Sequence, residues 1–560
     1  MDYKNKMAAA SGQITISTFG GINRRIRAGA GEFADMENLS YDQYPCIRSA
    51  KQPIDMGFEL PEGVEAVKLI IPKRLNEEIT GFSGVVYNRN YNWYEIYING
   101  EMRQQGISEY TDAVDYNGTI IVLPSLTGEC YAKKAAPGEI TTIRNYSYRG
   151  DVAFSGSGLQ IKCSGYEYET WIQSKFQAGD EIIISGLRGD FEANNTIYPE
   201  TSLDHSNTTS PVSIKIVSMS FSGGYNYSGT GEIQVEIRNS QGAVINWPYI
   251  SASDYTSCII SKKQPRSTYG CVAHNRLWLS LYNGEEILAS ELGKPLSFYE
   301  FQGTDADSWS GSVGTPGKFT GIASWQNRVV LFKPDIIHVV YGSLPSSFGI
   351  EKTYAAGCID SRSIATAGGK LIWLYYDGFY EFSGSRPRRI SDKLCTKYVS
   401  CSAFSDGVRY YAQCEKEDGG KEFVIYDTEL GLWSKLASLD LVSGDWQGGK
   451  VYVCDKKRMY CLYQGEPGDF FAETPELTFD SFDDKSLIYA SVRCKIHSGF
   501  LNIYTSVNGG EWISHKGISK SGKHRLPIRY NPGDTIRLRL EGSGDVCITE
   551  LNMEVLIKKR

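Results

Sequence analysis

Five stretches of this chain share one design. They read HNRLWLSLYNGEEILAS (274–290), QNRVVLFKPDIIHVVYG (326–342), GGKLIWLYYDGFYEFSG (368–384), GVRYYAQCEKEDGGKEFVIYD (407–427) and GGKVYVCDKKRMYCLYQG (448–465). Each has a polar or glycine start, an apolar and aromatic run, a polar turn and a second run, which is the pattern of a β-hairpin. The starts lie 52, 42, 39 and 41 residues apart. A hairpin recurring every 40 to 50 residues or so predicts a β-propeller with one blade per period. Such a disc is rigid, so its function is sought in loops, insertions and added domains.

Two further hairpins, 81–100 and 116–134, fit the blade pattern but stand well ahead of the next member. The stretch between them and the repeat alternates in short strands, as in GEIQVEIRN (231–239), with turns at Ala178-Gly179-Asp180 and Asn194-Asn195. It predicts a small β-barrel or sandwich set on a blade loop. After residue 473 the pattern becomes long period-two strands with turns at Asn508-Gly509 and Pro532-Gly533, which predicts a C-terminal β-sandwich. Near the start, GEFADMENL (31–39) predicts a short helix ended by Asn38. Ile47 and Arg48 then open an extended segment that would add an outer strand to the last blade, closing the ring and removing its edges.

The expected fold class is all-β: a six- or seven-bladed propeller with an inserted β domain and a C-terminal sandwich. The expected divisions are 1–50 (arm and closing segment), 51–145 (first part of the propeller), 146–252 (insert), 253–472 (second part) and 473–560 (sandwich).

Composition narrows the function classes. The net charge is −7 over 560 residues, and no Lys/Arg run marks a nucleic-acid surface. The basic end Lys558-Lys559-Arg560 reads as a solvated tail. No run of about 18 apolar residues exists to span a membrane. The start MDYKNKMAAASG lacks the apolar stretch of an export signal. The 13 cysteines are odd in number and unpaired in spacing. Most sit inside strand patterns, as Cys271, Cys358, Cys414, Cys454, Cys461, Cys494 and Cys547 do, so reduced, buried thiols are expected.

Catalytic motifs are missing. His205, His274, His338, His497, His515 and His524 are scattered, with none at zincin spacing. There is no phosphate-binding G-x-x-x-x-G-K-[ST] loop and no G-x-S-x-G elbow. The string Ser506 to Trp512 partly resembles a sialidase Asp-box, but Asn508-Gly509 reads better as a hairpin turn. Asp305/Asp307 and Asp483/Asp484 are carboxylate pairs on loops, solvated or, alternatively, calcium-binding. Trp278, Trp325, Trp373 and Trp433 lie in or beside blade strands. Packing between blades is the first reading and a sugar-stacking platform the second. No catalytic, cofactor-binding or metal-ligating residue is assigned, no cofactor is expected, and the chain is read as a non-enzyme.

Four stretches carry a resemblance. They are FGGIN (19–23) with FADMENLSYDQYPCIRSA (33–50), the insert string AGDEIIISG…NNT, the run 274–301 with 317–348, and GCIDSRSIATAGGKLIWLYYDGFYEFSGSRPRRIS (357–391). Together they resemble the β-propeller virion proteins of tailed bacteriophages, similar to the tail nozzle of short-tailed phages. The resemblance implies a structural virion protein in a homo-oligomeric ring, a hexamer, around the channel through which genomic DNA leaves without sequence-specific contact. It implies a tail adaptor or other tail proteins as partners. It implies residence in the virion tail after assembly in the host bacterial cytoplasm. Loops 303–317 and 343–348, rich in Gly and Ser, are the expected gates. The alternative is a receptor- or carbohydrate-binding propeller of a phage tail, with a host cell-surface glycan as partner.

Overall fold

The computed structural model describes residues 10–26, 28–71, 79, 81–107, 110–123, 131–134, 142–144, 147–173, 176, 178–185, 211–239, 242–246, 256–262, 265, 267–298, 301–354, 356–515, 517–527 and 532–558. The chain is all-β. Among the described residues helix is confined to short pieces, the turns Gly165–Glu167 and Tyr168–Gln173 and the 3-10 turn Ser361–Ser363. The expected turn at Asn194-Asn195, His205 and most of the first twelve residues lie outside the described residues.

Seven four-stranded antiparallel sheets are present among the described residues, and six are built from consecutive strands. The chain divides into two compact units. In the unit 106–331 with 338–351, three sheets begin at Asp112–Tyr116, Ser267–Ala273 and Gly321–Trp325, and each first strand lies against the next. In the unit 1–105 with 332–337 and 352–560, four sheets begin at Ala365–Ala367, Tyr398–Ser405, Ser443–Gln447 and Val64–Leu69, again first strand to first strand. The second strands are apolar runs rather than alternating ones. Thr119–Leu123, Lys370–Tyr375 and Lys450–Cys454 are buried along almost their whole length, the pattern of a strand covered on both faces.

The sheet Ser443–Gln447, Lys450–Cys454, Arg458–Cys461 takes its fourth strand from Ile54–Glu59. An N-terminal strand thus completes a late sheet, as expected, but the residues differ. Ile47–Ser49 pairs instead with Val546–Lys558 at the C-terminal end of the chain. The expected helix at 31–39 is absent. Asp35–Glu37 is a strand on Asp469–Glu473, and Leu39–Ser40 pairs with Ile47–Ser49. Asn38 sits between them at φ 57°, the left-handed region that Asn tolerates, and there the chain leaves one sheet for the other.

These two sheets also belong to the unit 1–105 with 332–337 and 352–560. One holds Ala10–Ile16, Leu39–Ser40, Ile47–Ser49, Asp484–Ile496, Gly522–Pro527 and Val546–Lys558. The other holds Asp35–Glu37, Asp469–Glu473, Phe500–Val507, Ile513–Ser514 and Ile536–Ser543. Ile536–Ser543 alternates buried and half-buried without a break. Ala490, Val492, Met553 and Val555 from the first sheet share one apolar core with Leu501, Ile503, Leu538 and Leu540 from the second. The sandwich expected of 473–560 therefore includes strands from 10–49.

Among its described residues the insert is a seven-stranded antiparallel sheet from Ser147–Ser155 through Thr256–Lys262, past the expected boundary at 252. Tyr168 and Ile172 cover its apolar face, packing with Val152, Phe154, Ile161, Ile214, Ile233 and Val235.

Candidate functional site

The five-stranded sheet turns one face into the core and the other outward, because side chains alternate along each strand. Met36, Phe470, Ala472, Leu538, Leu540, Leu501 and Ile503 point inward. The outward residues fall into rows across the strands. One row runs Asp35, Glu473, Arg539, Tyr504, Ser514, and the next runs Glu37, Phe471, Glu541, Asn502.

The first row is locked by charge. Arg539 Nη2 sits 2.9 Å from Glu473 and its Nη1 3.3 Å from Glu541, while Arg537 also pairs with Glu473. Both guanidinium groups lie over the Trp512 ring, at 5.3 Å for Arg537 and 4.4 Å for Arg539. Burial, helped by the charge of Arg539, pulls the Arg537 pKa below its ordinary value. Lys435, from the 398–436 sheet, reaches Asp35 at 2.9 Å and Glu37 at 3.5 Å and lies over the Phe471 ring at 5.4 Å.

Beside this row is an open groove of about 380 Å³, lined by Glu37, Asn38, Asp469, Phe471, Phe500, Asn502 and Glu541. Asn38 Nδ2 donates to the Asp469 carbonyl at 2.8 Å, so the left-handed residue that switches sheets also shapes the rim. Gly542 forms part of the wall. A Cβ there would run into the Phe470 ring and the Phe500 carbonyl. Phe500 is half-exposed. The groove offers two aromatic surfaces, two amides and three carboxylates, with no histidine, serine, threonine or cysteine in its lining. Such a lining suits an apolar group flanked by hydroxyl or cationic ones.

The sequence pattern did not single out this groove. The acids and aromatics at 37, 469–471, 500–502 and 541 are far apart in the chain and meet only through the register of four strands. The residues it did single out go elsewhere. Trp278, Trp325, Trp373 and Trp433 are all at most 2% exposed. Trp373 Nε1 donates to the Gly357 carbonyl at 2.7 Å and Trp433 Nε1 to the Ile390 carbonyl at 3.0 Å. They are packing residues, not a sugar platform. His338 is buried against Thr315 Oγ1 at 2.9 Å, His515 is bonded to Thr505, and His524 to the Lys520 carbonyl. Among the described residues no group of three His, Cys, Asp or Glu side chains is placed to hold a metal ion. The Asp-box-like string is a hairpin turn: Asn508 and Gly509 have φ 52° and 69°, and Asn508 Oδ1 accepts the Asp534 and Thr535 N–H groups. Burial pushes the Cys358 and Cys454 thiols up to about 12, so these two are poor nucleophiles.

The first of the two loops expected to gate carries a network of hydrogen bonds. Arg276 is 1% exposed and donates to the carbonyls of Ser290 (2.7 Å), Asp305 (2.7 Å), Ala306 (3.2 Å) and Asp307. The Asp307 carboxylate accepts the Gly303 N–H at 2.6 Å and the Thr304 hydroxyl. Trp309–Ser312 then forms the outer strand of its sheet. At 343–348, Phe348 packs edge-on against Trp278 and Trp309, at 5.0 and 5.5 Å. Arg276→Met should therefore open the 303–308 loop. Limited proteolysis should cut the variant there at least about tenfold faster than the parent protein, since four carbonyls lose a charged donor. Equal cutting rates would show that the loop is held by something else.

No family model matches the chain, and no curated protein matches it. Similar solved structures include PorZ, a bacterial surface component of the type-IX secretion system of Porphyromonas gingivalis. It is 10% identical with a TM-score of 0.26, over 65% of this chain and 41% of that one. The chain thus matches less than half of the length of PorZ. U3-55K is 8% identical with a TM-score of 0.27, over 63% of this chain and 95% of its own. An exo-β-1,3-galactanase from Phanerochaete chrysosporium is 9% identical with a TM-score of 0.17, over 80% and 96%. At TM-scores this low the likenesses carry no argument about what the chain does.

Proposed function

We propose that the chain is a structural protein of a bacteriophage tail, a ring-forming component around the path by which DNA leaves the virion. The observation that carries the reading is the run of four-stranded sheets whose first strands adjoin and whose late member is completed by Ile54–Glu59. We read these as seven blades of a propeller, with the 147–262 sheet inserted between blades and the two-sheet unit appended. A blade completed by the opposite end of the chain removes exposed edges, which suits a part that must stay rigid. The place in a tail rests on the residue resemblance at 19–50, 274–348 and 357–391.

The chain works by geometry and carries out no reaction of its own. Its mild acidity also suits a conduit, since an acidic wall does not hold DNA phosphates. The groove beside Phe471 and Phe500 is where the next copy or a tail adaptor inserts an apolar side chain flanked by a basic one. Cross-linking of intact particles followed by mass measurement should find six copies per tail, and negative-stain images should show rings. One copy per particle, or none, would overturn the reading.

A further inference from the structure

The inserted sheet ends in a long hairpin of two twelve-residue strands, Pro211–Ser222 and Ser228–Asn239. The loop between them, 223–227, presents Tyr225 and Tyr227, which are 53% and 77% exposed. Beside it the Gly165–Glu167 turn presents Tyr166, 52% exposed. Three large rings so exposed at one tip are unusual unless they have work to do there.

The tip is built to hold them still. Tyr166 N–H donates to the Tyr225 carbonyl at 2.8 Å, joining the two loops, and Tyr227 N–H closes on the Gly224 carbonyl at 3.1 Å. Ser164 and Glu167 cap each other: the Ser164 N–H reaches the Glu167 carboxylate at 2.9 Å and the Glu167 N–H reaches the Ser164 hydroxyl at 3.2 Å. A Cβ on Gly165 would lie 2.8 Å from Tyr225 Cα, so glycine is needed there, and one on Gly224 would lie 2.9 Å from the Tyr227 ring. The Tyr166 and Tyr225 rings meet edge to face, 5.9 Å apart at 79°. Below them Phe221 stacks on Tyr168 at 5.2 Å, and Tyr168 belongs to the core of the insert.

The chemistry of the tip selects its ligand. The string SFSGGYNYSGTG, 220–231, has no charged residue. A polyanion needs several Lys or Arg contacts; the string supplies none, and beside it stand one lysine, Lys162 opposite Thr230, and one carboxylate, Glu167. The Tyr, Ser, Gly and Asn composition is that of loops that bind through rigid rings and adaptable hydroxyls. The three rings offer roughly 300–400 Å² of surface, well short of the roughly 800 Å² a stable protein partner covers on each side. A pyranose has the matching features: a C–H face that lies on an aromatic ring and hydroxyls that bond to Tyr, Asn and Ser groups at its edge.

We propose that this tip, with Tyr166, Tyr225 and Tyr227 as its platform, binds a neutral glycan. Its residues are not those of the groove on the five-stranded sheet. It is complete in one copy, so it stands whether or not the chain forms a ring in a tail.

The test uses the full chain and a panel of neutral oligosaccharides (maltoheptaose, cellopentaose, mannopentaose, galactopentaose) with dextran sulfate as the charged control, read by saturation-transfer NMR and titration calorimetry. At least one neutral member should bind. Tyr225→Ala and Tyr227→Ala should weaken it about tenfold or more, while Tyr227→Phe, which keeps the ring, should stay within about threefold. An unchanged thermal midpoint in each variant shows that the fold is intact. Binding of no neutral member at 10 mM (roughly the weakest affinity worth calling a site), or binding equal in parent and Ala variants, would overturn the proposal. So would preference for dextran sulfate, or capture of a protein partner that the Ala substitutions abolish while no sugar binds.

Discussion

Glu422→Gln should destabilise the protein by about 2–3 kcal/mol at pH 7, a loss that should roughly halve by pH 3. Glu422 is the centre of a network joining the N-terminal segment to the 398–436 sheet. Arg24 clamps it with Nη2 to Oε1 at 2.9 Å and Nη1 to Oε2 at 3.1 Å. Lys416 lies 2.8 Å from Oε1, and the Tyr398 hydroxyl donates to Oε2 at 2.8 Å. Arg24 in turn reaches Thr396 at 2.8 Å and Asp35 at 3.3 Å. Burial alone would raise the Glu422 carboxyl, but the Arg24 hydrogen bonds and charge overcome it, with help from Lys416 and Tyr398, and bring its pKa to about 2. Removing the charge leaves two cations facing a neutral amide with little water, which is the costly way to break a buried pair.

The sign of the pH dependence follows from that depressed pKa. In the unfolded chain the carboxyl titrates near 4.5, in the folded chain near 2. Its contribution is complete above 4.5 and is lost as pH falls toward 2. Urea unfolding of parent and variant at pH 7 and pH 3 measures both points. A difference that stays the same at the two pH values would mean that the ionised carboxylate is not what holds Arg24.

Gly378→Val should lower stability by about 2–5 kcal/mol and deplete the soluble protein. Gly378 has φ 141°, in the region glycine favours, and pairs with Tyr375 at the head of a two-residue hairpin loop. A β-branched residue there is strained by about 1–3 kcal/mol. A Cβ would also strike Ser391 Oγ, the atom that accepts the Phe379 N–H at 2.8 Å in a fully buried position. Pushing Ser391 aside leaves that N–H without its partner and adds about 1–3 kcal/mol. Ser391→Gly alone, with Gly378 kept, isolates the second term, because it removes the acceptor of the Phe379 N–H and adds no strain at 378. Thermal melts unchanged in Gly378→Val would mean that this hairpin contributes little to stability.

The hairpins were legible because a strand–turn–strand unit is local: YYDGFY or YNGEE states its turn and its two runs within a few residues. The burial of Trp373 and Trp433 followed from their place in apolar runs. What was not legible depends on partners far away. Phe33, Met36 and Leu39 are spaced three apart, as on one face of a helix, and all three are buried. They reach the core from an irregular path that changes sheet at Asn38, and no local period distinguishes the two cases. Ile47 and Ile54 look alike as strand openers. Pairing with Val546–Lys558 or with Arg458–Cys461 decides between them, and that register is set by the folded core. The groove is the same problem at a larger scale, as its lining residues come from strands separated by most of the chain.

Ala10–Ile16 lies antiparallel on Val546–Lys558, with Ala10 opposite Ile557 and Ile16 opposite Leu551. The outermost residues of this pair of strands are therefore neighbours. A force drawing Ala10 away from Ile557 would load the rungs one after another from a single end, opening them like a zipper, whereas a force along the strands would load all of them together. The seam is weak to peeling and strong to shear. Tethering at the two ends in an optical trap would peel this pair at low force before any of the four-stranded sheets gives way, and an attachment that pulls along the strand axis would not.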